Sequence, residues 1–145
     1  PIIARRGLRK VPEMKELFDA LIKNGWDVWI LSSSNYWAAQ SFSNHYGVDP
    51  SRVIGVRARV QNGVLQPELL ELIPEGPGKA EALSFFVARG PLLSVAAGVD
   101  NDRLFLEYGS GLKLMIDKGD AKMNERAKKL GWLVQPAFKP GPPES

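Results

Sequence analysis

Short apolar runs recur along this chain, each set between amphipathic helical patterns. That alternation restricts the possible fold more than any other feature. Residues 12–23 show it first. Met14, Leu17, Phe18, Leu21 and Ile22 repeat at helical spacing, Pro12 suits a first turn, and Glu13 faces the positive end of the helix dipole. Asn24-Gly25 closes the segment. Val28-Trp29-Ile30-Leu31 follows without a polar residue, the pattern of a strand covered on both faces. Ser32-Ser33-Ser34-Asn35 then reads as a polar turn and helix cap, and residues 36–46 as a second helix stopped by Gly47. Further strands are predicted over residues 53–56, 92–97 and 112–116, and helices over residues 78–89, 102–108 and 120–130. Residues 57–65 predict a hairpin turning at Asn62-Gly63. Such alternation predicts an α/β fold, a mostly parallel sheet wrapped by helices on both faces. Chemistry in such sheets gathers at the carboxyl ends of the strands.

A chain of 145 residues suits one domain with a single core. The domain is expected over residues 1–138, and the Pro- and Gly-rich residues 139–145 are expected to be disordered. With no cysteine, disulfides and thiolate metal sites are excluded. No apolar run reaches the ~18 residues of a membrane span, and the N-terminus has no signal-peptide pattern. The expectation is therefore no membrane partner and a cytoplasmic protein. Pro1 stands where an initiator Met would, so this end reads as processed, cut or trimmed. The net charge is +3, with basic residues at Arg5, Arg6, Arg9 and Lys10 and again at Arg52, Arg57 and Arg59. Such clusters attract phosphate or nucleic acid, but no aromatics interleave with them as a base-stacking platform would need. A solvated basic face is expected, without a nucleic-acid partner.

Three polar segments fall at or near predicted strand ends. Ser32 and the amides of Ser33, Ser34 and Asn35 could cradle a phosphate, or simply cap the following helix. Lys79 opens a helix inside Glu75-Gly76-Pro77-Gly78-Lys79, where a cation meets the positive end of the dipole. A nearby anion would resolve that conflict; a solvated lysine would simply tolerate it. The segment is not a Walker A loop, because the glycine spacing fails and Ala80 stands where Ser or Thr belongs. In Asp100-Asn101-Asp102, two carboxylates could hold magnesium through oxygen, or an Asp could cap the next helix. His45 has no partner His or Cys and reads as structural. Trp26, Trp29, Trp37 and Trp132 read as core or rim packing.

In this order the pieces resemble the haloacid dehalogenase (HAD) superfamily, in its phosphoserine-phosphatase-like branch. The resemblance runs from about Gly7 to Phe138. Residues 12–35 are similar to the family's helix, strand and second motif. Gly47-Val48-Asp49 and Arg52-Val53-Ile54-Gly55 match the next helix end and strand. Gly78-Lys79-Ala80-Glu81-Ala82-Leu83 is similar to the third motif, and Ala96-Ala97-Gly98-Val99-Asp100-Asn101-Asp102 to the fourth. The resemblance implies a three-layer, Rossmann-like sheet and a magnesium-dependent phosphomonoester phosphatase acting on a small phosphorylated substrate. It implies that Ser32 binds the transferred phosphoryl group, that Lys79 neutralises its charge, and that Asp100 and Asp102 hold magnesium. An Asp would attack to give an aspartyl-phosphate that water hydrolyses.

Two departures stand out. The family's Asp-x-Asp nucleophile precedes the first of these helices, but no Asp here precedes Asp19, which lies in mid-helix. The chain therefore reads as a core lacking the nucleophile motif and the cap. Val99 after Gly98 also departs from the acidic residue or Asn usual there. The missing first strand would leave two facing sheet edges. Ile2-Ile3-Ala4, a separate N-terminal segment or a second copy of the chain is expected to fill them. The alternative function is a catalytically inactive domain that binds phosphate or a partner.

Overall fold

The computed structural model describes residues 10–87, 96–98 and 102–139. Asp100, the Ile2-Ile3-Ala4 segment and nearly all of the tail lie outside the described residues. The fold is mixed α/β. Helix α1 (Pro12–Lys23) starts with its proline in the first turn, and Asn24 and Gly25 end it as expected. Strand β1 (Ile30–Asn35) leads directly into helix α2 (Tyr36–Ser43), which tightens into a 3-10 turn over Asn44–Tyr46. Gly47 stops that turn in the left-handed conformation. A second 3-10 turn, Pro50–Arg52, precedes β2 (Val53–Val56), and a hairpin follows from β3 (Ala58–Gln61) to β4 (Val64–Leu69). The remainder runs α3 (Pro77–Phe86), β5 (Ala96–Gly98), α4 (Arg103–Tyr108), β6 (Lys113–Asp117), α5 (Ala121–Lys129) and β7 (Leu133–Pro136).

The first apolar run behaves differently from its sequence reading. Val28 and Trp29 precede β1, and Ile30 and Leu31 are half-buried rather than sealed on both faces. The three serines and Asn35 belong to the strand, not to a turn. The parallel pairing of β1 with β2 explains this. Ile30 and Leu31 sit opposite Val53 and Ile54, the register then shifts, and pairing resumes at Asn35 opposite Val56. At the start of β1, Asp27 accepts from the Trp29 indole at 2.9 Å and from Arg52 just before β2. Those donors hold its carboxyl below the usual range.

The hairpin turns at Asn62-Gly63, both with positive φ, as a two-residue connection requires. Its second strand continues past Pro67 to Leu69. A proline is tolerated on this outlying two-stranded ribbon, where its missing N–H interrupts no inner ladder.

Among the described residues the parallel strands form two pieces, β1-β2 and β5-β6-β7. The clustered core lies on the second piece, while Val48, Val53 and Ile54 are buried at the first. Leu106 of α4, Met115 of β6, and Met123 and Ala127 of α5 are buried together, with Phe105, Trp132 and Val134 packed around them. Trp26 and Trp37 are exposed, while His45 lies half-buried with its ring edge-on to Tyr46 at 4.9 Å. No helix among the described residues is long and apolar enough to cross a membrane.

Lys113 opens β6 at 6% exposure, and its Nζ is buried without a hydrogen-bond partner among the described residues. Burial pushes its pKa below the ordinary lysine value. The folded state therefore disfavours its charge. That cost is complete below the folded pKa and disappears as pH rises through the unfolded value. Lys113→Met should stabilise the fold at neutral pH by about 1–3 kcal/mol, the cost of an unsatisfied buried polar group. Thermal melts should show this advantage shrinking toward pH ~10.4. A gap that does not change with pH would disprove the assignment.

Candidate functional site

Helix α3 has no side-chain cap at Gly76 and relies on Pro77 to set its first turn. Gly78 is a steric requirement. A Cβ there would stand 2.0 Å from the Ile73 carbonyl oxygen, so only glycine lets the preceding loop cross the helix start. The next residue, Lys79, turns inward and is 8% exposed. Strand β5 pairs in parallel with β6, Ala96 opposite Lys113 and Gly98 opposite Met115. Beyond its carboxyl end Asp102 precedes α4, also 8% exposed. Asp102 occupies the N-cap position but makes no capping hydrogen bond from its side chain. Its Oδ1 instead accepts from Lys79 Nζ in a buried ion pair.

The electrostatic conflict at the start of α3 is thereby answered within the chain. The anion beside Lys79 is Asp102, brought from 23 residues away. Gly98 is fitted to the same carboxylate. A Cβ at residue 98 would lie 2.9 Å from Asp102 Cβ and 3.0 Å from its Oδ2. Two glycines thus frame the pair, Gly78 under the lysine's helix and Gly98 against the aspartate. The sequence carried Gly78 and Gly98 within motifs, but their steric role depends on segments distant in the chain.

The serine segment is arranged locally. Ser32 Oγ accepts from the Ser34 amide at 3.1 Å. Asn35 Oδ1 accepts from the amides of Trp37 at 3.0 Å and Ala38 at 3.3 Å, so Asn35 is the cap of α2. Ser33 and Ser34 are exposed. The structure brings Lys79 and Asp102 together, while Ser32 to Asn35 stand at the end of the other sheet piece. Beside them Arg57 lies over the Tyr36 ring, 3.9 Å from its centroid, a contact the sequence reading missed. Among the described residues no group of three or more His, Cys, Asp or Glu could hold a metal.

No protein-family model and no curated protein matches the chain. Solved structures do. A conserved, functionally unknown protein from Anaerococcus prevotii is similar over 87% of this chain and 37% of its own, with TM-score 0.73 and 22% identity. A protein of unknown function from Bordetella pertussis is similar over 83% and 55%, with TM-score 0.68 and 15% identity. A phosphoserine phosphohydrolase-like protein from Francisella tularensis is similar over 84% and 56%, with TM-score 0.57 and 19% identity. The likeness is one of fold, and the chain spans only 37–56% of the length of these proteins.

Removing one member of a buried ion pair strands the other. Asp102→Ala should cost about 3–5 kcal/mol by denaturant unfolding, whereas the double change Lys79→Met/Asp102→Leu should cost far less. Equal costs for the two variants would mean that the pair is not coupled.

Proposed function

We propose that this chain forms the core of a haloacid-dehalogenase-type hydrolase, a magnesium-dependent phosphatase of small phosphomonoesters with a three-layer, Rossmann-like sheet. The observation that carries this reading is the buried Lys79–Asp102 pair beyond the carboxyl end of β5. The fold likeness to a phosphoserine phosphohydrolase-like protein supports it.

In this reading each residue has a distinct task. Lys79 presents a cation with three N–H donors, one of them engaged by Asp102. It neutralises charge on the phosphoryl group as that charge develops. Asp102 fixes the lysine's direction, so the cation is already oriented before substrate arrives. Ser32 donates its hydroxyl proton to a phosphoryl oxygen while its lone pair holds the Ser34 amide. The donor set suits magnesium, which takes one or two carboxylates and fills its shell with waters and substrate phosphate oxygens. Asp102 would hold it, together with Asp100. When bound, magnesium supplies further neutralisation of the phosphate charge.

The nucleophile is an Asp carboxylate supplied from outside residues 10–139. It attacks phosphorus as the P–O ester bond breaks, the leaving oxygen takes a proton from water and departs as the alcohol, and a second water cleaves the aspartyl-phosphate to inorganic phosphate and the free carboxylate. The same segment, or a second copy of the chain, would complete the sheet between β1 and β5. Those strands each have one paired neighbour among the described residues, which supports a further parallel strand between them. The alternative, a catalytically inactive phosphate- or partner-binding domain, gains support from the absence of any Asp before Asp19 in this sequence.

Hydrolysis of p-nitrophenyl phosphate tests the reading, with magnesium and with EDTA, for wild type, Lys79→Met and Lys79→Arg. With a segment that carries the Asp nucleophile supplied, magnesium-dependent turnover that falls roughly 100-fold in Lys79→Met is expected, as for loss of a charge-stabilising donor. Melting curves show that each variant is folded, and Lys79→Arg serves if Lys79→Met is not. Phosphate binding without turnover would favour the inactive alternative. Neither turnover nor phosphate binding would overturn the phosphatase reading and the phosphate-binding form of the alternative.

A further inference from the structure

The hairpin of β3 and β4 has one apolar face and one polar face, set by its register. Ala58 stands opposite Leu69 and Val60 opposite Leu65, and paired residues share a face, so these four side chains lie together. The other face carries Arg59 and Gln61, and Arg59 pairs with Glu68 at 2.9 Å. On the apolar face Val60, Leu65 and Leu69 are 52–58% exposed. A second uncovered apolar pair ends α3. Phe85 and Phe86 stand edge-on at 4.9 Å and are 62% and 49% exposed. The base of the hairpin adjoins them. There the Leu70 amide donates to the Arg57 carbonyl at 2.8 Å, and Leu70 and Phe86 line one cavity of about 130 Å³ with Trp29 and Leu72.

A lone two-stranded ribbon is marginal in water, and apolar side chains grouped on a surface mark an interface. The edge of this ribbon is guarded. Pro67 removes an N–H from β4, and Gln66 to Glu68 stand between pairs that span only Arg59 in β3, a bulge that twists the strand. The face, not the edge, is therefore the contact surface. Area and charge select a second copy as its cover. Val60, Leu65, Leu69, Leu70, Phe85 and Phe86, each about half exposed, offer on the order of 200–400 Å² of apolar surface per copy. That is roughly half or more of the apolar share in a dimer interface of ~800 Å² per partner. The hairpin tip, Asn62-Gly63, is neutral, and so is the end of α3, Leu83-Ser84-Phe85-Phe86-Val87. A tip laid over the α3 end of another copy thus opposes no like charges.

We propose that the chain forms a two-fold dimer in which the hairpin of each copy lays its apolar face over Phe85 and Phe86 of the partner subunit. A two-fold axis near Leu70, where the two patches adjoin, makes both crossings at once, as an isologous interface requires. One contact then covers both apolar patches. It is separate from the gap between β1 and β5 and does not rest on the phosphatase reading.

Sedimentation equilibrium tests the dimer, and the absence of cysteine lets disulfide trapping test its geometry. Wild type should pass from monomer to dimer as its concentration rises through ~1–100 μM. Leu65→Lys should weaken association roughly tenfold or more, because the contact would bury an unpaired charge. Phe85→Lys, outside the hairpin, should do the same and serves if Leu65→Lys unfolds the ribbon. Leu133→Thr, at an exposed position on the other sheet piece, should change nothing. Oxidation of an equal mixture of Leu65→Cys and Phe85→Cys chains should yield the mixed disulfide in preference to either like pair. A wild type that stays monomeric throughout, a dimer indifferent to a folded lysine variant, or trapping only between like chains would overturn the proposal.

Discussion

The ion pair between Lys79 and Asp102 is the interaction on which the second half of the molecule depends. A lysine at a helix start opposes the helix dipole, and a buried carboxylate loses its hydration. Neither residue would be favourable at its position alone. Together they offset each other, and the requirement that they meet sets how α3 lies against α4. It also requires Gly98, since any larger residue there would press on the Asp102 carboxylate. One electrostatic condition thus links the start of a helix, the end of a strand and the start of the next helix.

Around that link stability is unevenly spread. The buried cluster of Leu106, Met115, Met123 and Ala127 lies over β6, which is paired on both sides by β5 and β7. The first sheet piece buries Val48, Val53 and Ile54. Its two strands meet in a broken register, and an exposed Asp27–Arg52 pair joins their starts. Exposed pairs of this kind contribute little. The hairpin leaves Val60, Val64, Leu65 and Leu69 largely exposed, and an isolated two-stranded ribbon is marginal in water. The half with the clustered core is also the half that carries the buried charge pair.

The fold likeness to longer solved structures and the buried pair bear on function at different levels. Shared architecture at 15–22% identity establishes a scaffold that many chemistries can use. The pair is specific to a site, because it orients a cation at a sheet end where anionic ligands commonly bind.

The helices and the hairpin were legible in the sequence, because their signals are local. The apolar spacing and Pro12 set α1, Asn62-Gly63 set the hairpin turn, and Asp120, where the last helix was expected to begin, caps α5. The strand limits were less legible. Ser32 to Asn35 look like a turn in isolation and become strand only because β2 lies alongside. The edge strand β7 is four residues long and gave no periodic signal. Lys79 and Asp102 could each be singled out from the sequence, but as two separate questions. Their meeting across 23 residues and the fit of Gly98 against the carboxylate were decided by the tertiary structure. The reason is physical: propensity and periodicity act over a few residues, whereas charge pairing and steric fit depend on which distant segments packing brings together.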